Sequence, residues 1–142
     1  MPTRVGTASW EGTLKGGKGT MKLGSGAYEG PFSFLSRFES GTGTNPEELI
    51  GAALASCFSM ALAGDLERAG HVPESIRTVA AVDLDKAEPG FAITGIDLDT
   101  EAVVPDIDPA EFESIAQVTK DNCPVGKALA AVPITVRSRL GR

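Results

Sequence analysis

The longest apolar stretch of the chain, residues 49–66, is apolar on nearly every face of a helix. The preceding "TNPEE" predicts the helix start, because Asn45 or Thr44 can cap it, the proline suits the first turn and the two carboxylates suit the positive end of the helix dipole. Gly70 and Pro73 predict its end. A helix that is apolar all round is buried on every side or lies in an interface. One small domain can hardly enclose it, so we expect a partner subunit.

The first third of the chain alternates in a way typical of β-strands. "RVGTASWEGTL" and "GTMKLGS" flank the turn sequence "KGGK", which predicts a hairpin. Residues 32–40, "FSFLSRFES", predict a third strand with Phe32, Phe34 and Phe38 on one face and Arg37 on the other.

The second half predicts a β-hairpin, two helices and a closing strand. "SIRTVAAVDLDK" and "FAITGIDLDTEAVV" surround the turn "EPG", and the alternation slips at Gly95, where we expect a β-bulge. A helix capped by Asp108 should bury the side formed by Phe112, Ile115, Ala116 and Thr119. "CPVGKALAA" predicts a short helix, and "PITVRSRL" a strand with Ile134, Val136 and Leu140 inward. The order predicts an α+β fold in a single domain, residues 1–142.

Composition and charge remove several function classes. The chain is 42% hydrophobic and 23% charged, which is ordinary for a soluble globular protein. A formal net charge of −6 without a basic stripe argues against nucleic-acid binding. The N-terminus does not look like a signal peptide, and no uninterrupted run of apolar residues approaches the roughly 18 residues of a membrane span. We expect a cytoplasmic protein, whose thiols are kept reduced.

Counting residue types narrows the chemistry further. The only histidine is His71, and the only cysteines are Cys57 and Cys123. This set does not supply the three or four ligands of a usual zinc site, and little supports a Cys–His nucleophilic pair. No phosphate-binding glycine loop is present. We therefore expect neither a metal nor a bound cofactor.

The two cysteines have competing interpretations. Cys57 is equally compatible with a small buried hydrophobe, because it lies about three turns into the apolar helix, beyond the reach of the helix dipole. A reactive Cys57 would need a nearby cation. Cys123 lies where a short helix should begin, which predicts an accessible thiol with a lowered pKa, or else a capping thiol without a task. Whether the two thiols meet depends on the fold, since the C-x-x-C pattern is absent.

Several segments together resemble the OsmC/Ohr family of osmotically inducible and organic-hydroperoxide-resistance thiol peroxidases. They are "GTNPEELIGAALASCFSMAL", "CPVGKAL", "WEG" and "GKGT", and the resemblance covers essentially the whole chain. "GFAIT" and the helix segment are more similar to the OsmC branch than to the Ohr branch. A small departure is Ser56 in "LASCF", where many members have alanine.

The resemblance implies roles by position. Cys57 matches the peroxidatic cysteine and Cys123 the resolving one, Arg37 the arginine that activates the thiol, and Glu47 the glutamate that holds this arginine. Glu48 is the weaker candidate for that last role. The implied fold packs β-sheets on a long central buried helix in an intertwined homodimer. The implied activity, part of the oxidative stress response, reduces organic hydroperoxides to alcohols through a sulfenate and an intramolecular disulfide. An external dithiol such as dihydrolipoamide would supply the electrons.

Elementary chemistry agrees with these roles. Arginine supplies a permanent cation for a thiolate and a departing alkoxide, and a carboxylate can fix its orientation. An apolar pocket around the helix suits bulky organic hydroperoxides more than hydrogen peroxide. Glu47 and Cys57 are ten positions apart in one helix, or roughly 15 Å along its axis. We therefore expect an active site across a dimer interface, with Glu47 and Arg37 of one subunit serving Cys57 and Cys123 of the other.

Two other functions fit the same residues. A non-enzymatic carrier of small ligands, or a redox sensor, would use the same apolar cleft, and its disulfide would change its shape without turnover. A general disulfide oxidoreductase would lack its expected C-x-x-C. Steady-state turnover with a dithiol distinguishes the enzyme from the sensor.

Overall fold

The computed structural model describes all 142 residues, which form two compact units, Met1–Leu49 and Ile50–Arg142. The N-terminal unit contains a three-stranded antiparallel sheet in the order β1-β2-β3, formed by β1 (Gly6–Glu11), β2 (Lys18–Leu23) and β3 (Glu29–Phe32). The predicted hairpin is confirmed as β1 and β2. The expectation of a single domain stays a prediction.

The strand predicted for residues 32–40 is wrong beyond Phe32, because the chain turns there into a short helix, α1 (Phe34–Phe38). Ser33 and Ser36 form a reciprocal capping box. The Ser36 N–H donates to Ser33 Oγ at 3.1 Å, and the Ser33 N–H donates to Ser36 Oγ at 2.9 Å. Phe34 and Phe38, which suggested strand alternation, are instead an i, i+4 helical pair with ring centroids 4.9 Å apart.

The long helix α2 (Pro46–Arg68) is confirmed and unbroken. Its start is capped by Asn45, whose Oδ1 accepts the Glu48 N–H at 2.7 Å. Its end is a Schellman arrangement, in which the His71 N–H donates to the Leu66 carbonyl at 2.8 Å and Gly70 adopts a φ of 89°.

One face of α2 is fully buried and another is exposed. Leu54, Phe58, Leu62 and Leu66 recur every four residues and are all at most 1% exposed. Ala52, Ser56 and Met60 are exposed, Met60 at 78%. The helix is long and apolar enough to cross a membrane, with a mean hydropathy of 1.7, but core helices of soluble proteins pass the same test. The expected absence of a membrane partner therefore stays a prediction.

The C-terminal unit confirms the α+β prediction. Its sheet has the order β4-β5-β6, with β4 (Ser75–Lys86) antiparallel to β5 (Phe91–Val103) and β6 (Ile134–Leu140) parallel to β5. The register between β4 and β5 shifts beside Gly95, so the predicted bulge is confirmed.

Two helices complete the C-terminal unit, α3 (Pro109–Asn122) and α4 (Pro124–Ala128). Asp108 caps α3, as predicted. The core joins the buried face of α2 to the inner face of the sheet and to α3, and its fully buried members from these last two are Ile96, Leu98, Ala102, Phe112 and Ala116.

Gly70 provides a test of the end of α2. An added Cβ would meet nothing within 4 Å, but the left-handed φ of 89° disfavours any side chain. We expect Gly70→Ala to lower the free energy of unfolding by about 1 kcal/mol, measured by urea denaturation. Gly6→Ala is the matched control, because it also has open space and no positive φ. Equal effects of the two substitutions would contradict this account of the helix end.

Candidate active site

Arg37 and Glu47 form an ion pair in the N-terminal unit. Arg37 Nε and Nη2 both donate to Glu47 Oε1, at 3.1 Å and 2.8 Å. The capping box of α1 sets the turn that presents Arg37, and Glu47 lies in the first turn of α2. The Arg37 side chain is 40% exposed, whereas the Glu47 side chain is only 8% exposed. The structure thus brings together two of the four predicted site residues.

The second oxygen of this carboxylate has no partner within the chain. Glu47 Oε2 is buried and accepts no hydrogen bond. Burying an unpaired carboxylate oxygen costs free energy, so this atom is ready to accept a donor from another molecule. Glu48, the weaker candidate, instead accepts the Thr44 hydroxyl at 2.7 Å and belongs to the helix start.

The other two predicted residues meet in the C-terminal unit. Cys57 lies on α2 between its buried and exposed faces and is half-buried. Cys123 lies between α3 and α4 and is 1% exposed. Both are free thiols, and they are close enough for Cys57 to affect the pKa of Cys123 through hydrogen bonding and charge.

Cys123 is fixed by the backbone on both sides. Its N–H donates to the Thr119 carbonyl at 3.1 Å, which ends α3, and its Sγ accepts the Gly126 N–H at 3.3 Å, which begins α4. A Cβ at Gly126 would lie 3.0 Å from this sulfur and 2.7 Å from the Lys120 carbonyl oxygen. The glycine therefore lets the backbone of α4 approach the thiol closely.

The prediction that Cys123 is accessible and has a lowered pKa is wrong. Burial raises the pKa of the Cys123 thiol above its ordinary value, and the neighbouring Cys57 raises it further. Hydrogen bonds from the Gly126 and Val125 N–H groups lower this pKa, but by less than burial and Cys57 together raise it. The helix start is as predicted, but its position inside the core removes the solvent that a thiolate needs.

The ionic neighbour of His71 is neither a cysteine thiol nor an arginine. Its Nε2 lies 3.4 Å from Glu111 Oε1, so its ionic neighbour is a carboxylate at the start of α3. No group of three or more His, Cys, Asp or Glu side chains is arranged to hold a metal ion. The arrangement that remains is two neighbouring thiols in one unit and an arginine–glutamate pair in the other.

Comparison with known proteins gives consistent results. The family model of OsmC-like proteins matches residues 39–137. Peroxiredoxin OsmC of Escherichia coli is 54% identical over 129 residues, which covers 90% of each chain. The structure of the organic hydroperoxide resistance protein OhrB of Bacillus subtilis matches with a TM-score of 0.72 and 23% identity, over 96% of this chain and 98% of that one. An OsmC-like protein of unknown function from Vibrio cholerae matches with a TM-score of 0.75 and 16% identity, over 98% and 100% of the two chains.

An α+β scaffold that holds two neighbouring free thiols is the arrangement that a thiol-dependent redox protein requires. With the matches to the family model and to relatives of 54% identity, the chain belongs to the OsmC family. It is an enzyme, a thiol peroxidase of the peroxiredoxin type.

The sequence argument missed two features of the site. One is Gly126, and its signal was a glycine three positions after a cysteine that caps a helix. The other is the aromatic ring of Phe38, which lies 5.3 Å from the Arg37 guanidinium. Its signal was the i, i+4 spacing of Phe34 and Phe38 around that arginine.

The raised pKa of Cys123 predicts how the thiols titrate. In reduced protein, the titration of Cys123 should lie above the ordinary thiol range, because burial disfavours its thiolate. In Cys57→Ala it should move to lower pH, since the hydrogen bond and the charge of Cys57 are gone. Ultraviolet thiolate absorbance across a pH series measures both. A Cys123 titration that Cys57→Ala leaves unmoved would contradict the coupling.

Proposed function

We propose that the protein reduces organic hydroperoxides to alcohols, with Cys57 as the peroxidatic cysteine and Cys123 as the resolving cysteine. The observation that carries the proposal is the pairing of a half-buried thiol with a fully buried neighbour that resists ionisation. The nucleophilic thiol must be accessible to the substrate, whereas the resolving thiol must lie next to the nucleophile without reacting with the peroxide itself. The names of the relatives, a peroxiredoxin and organic hydroperoxide resistance proteins, support this substrate class.

The proposed reaction has three steps. The Cys57 thiolate attacks the terminal oxygen of the hydroperoxide, the O–O bond breaks, and the alkoxide takes a proton to leave as the alcohol. Cys123 then attacks the Cys57 sulfenic acid, so that a disulfide forms and the hydroxyl leaves as water with the Cys123 proton. An external dithiol of the dihydrolipoamide kind returns two electrons by thiol–disulfide exchange. The protein needs no bound cofactor for these steps, and the cytoplasm supplies reducing thiols.

Arg37 and Glu47 serve the first step in this proposal. The guanidinium donates hydrogen bonds to the thiolate or to the peroxide oxygens and stabilises the alkoxide as it departs. Glu47 acts as a positioning residue, because one of its carboxylate oxygens accepts from both Nε and Nη2 and so fixes the direction of the guanidinium. The geometry of the pair supports this division of roles.

The active site is proposed to form across a homodimer, with Arg37 and Glu47 of one subunit acting on Cys57 of the other. Two observations support this arrangement. The exposed face of α2 carries Ala52 and Met60 with Ser56 between them, so it is largely apolar, as expected for a helix that packs against a second copy. Glu47 Oε2 is buried without a donor in its own chain.

The first test follows the thiols directly. One equivalent of cumene hydroperoxide is added to reduced protein, and the intact mass is recorded within seconds. We expect the loss of two hydrogens, mapped to a Cys57–Cys123 disulfide, and no disulfide in Cys57→Ser. An unchanged mass would leave Cys57 as a core residue without redox function. A disulfide that forms once but gives no steady-state turnover with a dithiol would favour a redox sensor.

The second test asks which subunit supplies the arginine. Cys57→Ser and Arg37→Ala should each be inactive or nearly so, and each is purified separately. Mixing them through unfolding and refolding should restore on the order of a quarter of the wild-type activity, because half of the dimers are mixed and each has one complete site. Arg37→Ala mixed with itself is the control. A mixture as inactive as its components would mean that the arginine acts within its own chain.

A further inference from the structure

Asp65 is the only charged residue within the apolar stretch 49–66 of the long helix α2. It precedes the fully buried Leu66, and its own side chain is 24% exposed. Burying a carboxylate this close to the core costs free energy unless its oxygens accept hydrogen bonds. Both oxygens have partners, since Oδ1 accepts from Arg68 Nη2 and Oδ2 accepts the Thr119 hydroxyl at 2.5 Å. The second bond joins α2 to α3.

The two partners of this carboxylate differ in what they fix. The Arg68 side chain is 75% exposed and lies three positions further along the same helix, so solvent screens its ion pair with Asp65. Thr119 is fully buried and lies 54 positions further along the chain. Its hydroxyl also lies 2.9 Å from the Ile115 carbonyl oxygen, but the shorter bond to the charged oxygen is the stronger one. The bond to Thr119 is therefore the one that fixes two helices relative to each other.

Thr119 lies one helical turn before Cys123. The Cys123 N–H donates to the Thr119 carbonyl at 3.1 Å, so Thr119 binds the backbone of this cysteine and, through its hydroxyl, the carboxylate on α2. The same helix carries Cys57, eight positions before Asp65, or roughly 12 Å along the helix axis. The last turn of α3 is thus attached to the helix that carries the sulfur of Cys57.

We propose that Asp65 is a positioning residue for disulfide formation, because its bond to Thr119 fixes the last turn of α3 on α2 and so keeps Cys123 within reach of the Cys57 sulfur. The inference rests on the proposed function, in which Cys123 attacks the Cys57 sulfenic acid. A displacement of a reacting group by about 1 Å is enough to slow a reaction by up to about 100-fold. Asp65 acts through Thr119 and not on the reacting atoms.

Disulfide formation competes with a second oxidation of Cys57. A second hydroperoxide molecule transfers its terminal oxygen to the sulfenic acid, which gives the sulfinic acid and a second molecule of alcohol. The rate of this oxidation rises with peroxide concentration, whereas the rate of disulfide formation depends on the position of Cys123. The half-oxidation concentration, the peroxide concentration at which half of the protein becomes sulfinic acid, is therefore proportional to the rate constant of disulfide formation.

Intact mass after exposure to increasing cumene hydroperoxide, without a reductant, measures this competition. The disulfide appears as the loss of two hydrogens, and the sulfinic acid as the gain of two oxygens. We expect the half-oxidation concentration to fall about tenfold in Asp65→Ala and in Thr119→Val, which keeps the shape of threonine. The double variant should fall no further than either single one, because both remove the same bond. Thr119→Ser keeps the hydroxyl and should stay within about threefold of the wild type.

Two control variants separate positioning from a general loss of stability. Arg68→Ala removes the other partner of the same carboxylate and leaves the bond to Thr119, so its half-oxidation concentration should stay within about twofold of the wild type. Gly70→Ala should lower stability through the left-handed φ at the end of α2, and its half-oxidation concentration should also stay within about twofold.

A second readout isolates the step that Asp65 serves. The consumption of the Cys57 thiol by peroxide is followed by alkylation of the thiol that remains. Because Cys123 takes no part in this first step, Asp65→Ala should change its rate far less than it changes the half-oxidation concentration. A parallel loss in both readouts would contradict a role confined to Cys123.

The outcomes separate this inference from the proposed function. Wild-type half-oxidation concentrations in Asp65→Ala and Thr119→Val, or a double variant whose fall is the product of the two single ones, would overturn the positioning role while leaving the peroxidase in place. An equal fall in Gly70→Ala would also overturn it, because instability alone would then account for the effect. A wild type that forms no Cys57–Cys123 disulfide with peroxide would instead overturn the proposed function, and the positioning role with it.

Discussion

The register of the long apolar helix α2 sets the environment of the Cys57 sulfur. Leu54, Phe58, Leu62 and Leu66 recur every four residues and are sealed in the core. Because each residue advances about 100° around a helix, Cys57, one position before Phe58, falls at the edge of this buried face. The sulfur is therefore half-buried, packed against the core on one side and open to approach on the other. If the cysteine were one position earlier or later in the helix, its sulfur would be either fully buried or turned away from Cys123.

Two chemically identical side chains acquire different properties from their surroundings. Cys123 is held inside the core by the hydrogen bonds that end one helix and begin the next, so its neutral form is favoured. A neutral thiol is a poor nucleophile toward a peroxide. In the proposed mechanism, Cys123 gives its proton to the leaving hydroxyl as it attacks the Cys57 sulfenic acid, and the Gly126 N–H that donates to its Sγ would stabilise the sulfur during that attack. In that mechanism, burial of Cys123 would make the disulfide step follow the peroxide step without any separate control.

Local signals allowed much of the fold to be predicted, and packing decided the rest. The cap at Asn45, the end at Gly70 and the slip at Gly95 depend on a few neighbouring residues, and each is found where the sequence places it. The strand predicted through Arg37 failed because two serine side chains satisfy the backbone as a capping box, which alternation of apolar residues does not register. The burial of Cys123 could not be predicted from the sequence, because it depends on which helices and strands enclose the start of α4.

The Arg37–Glu47 pair has an electrostatic consequence for the proposed mechanism. A guanidinium held by a buried carboxylate is neutral as a unit, so its field falls off faster with distance than that of a free cation. Its influence on a thiolate or peroxide is therefore confined to direct hydrogen bonds from the N–H groups that Glu47 leaves open. Activity then depends on contact geometry, and an arginine displaced by an ångström or two loses most of its effect. This explains why a buried glutamate suits the site even though its burial costs free energy. Glu47 weakens the long-range attraction of Arg37, but it fixes the direction in which the guanidinium points.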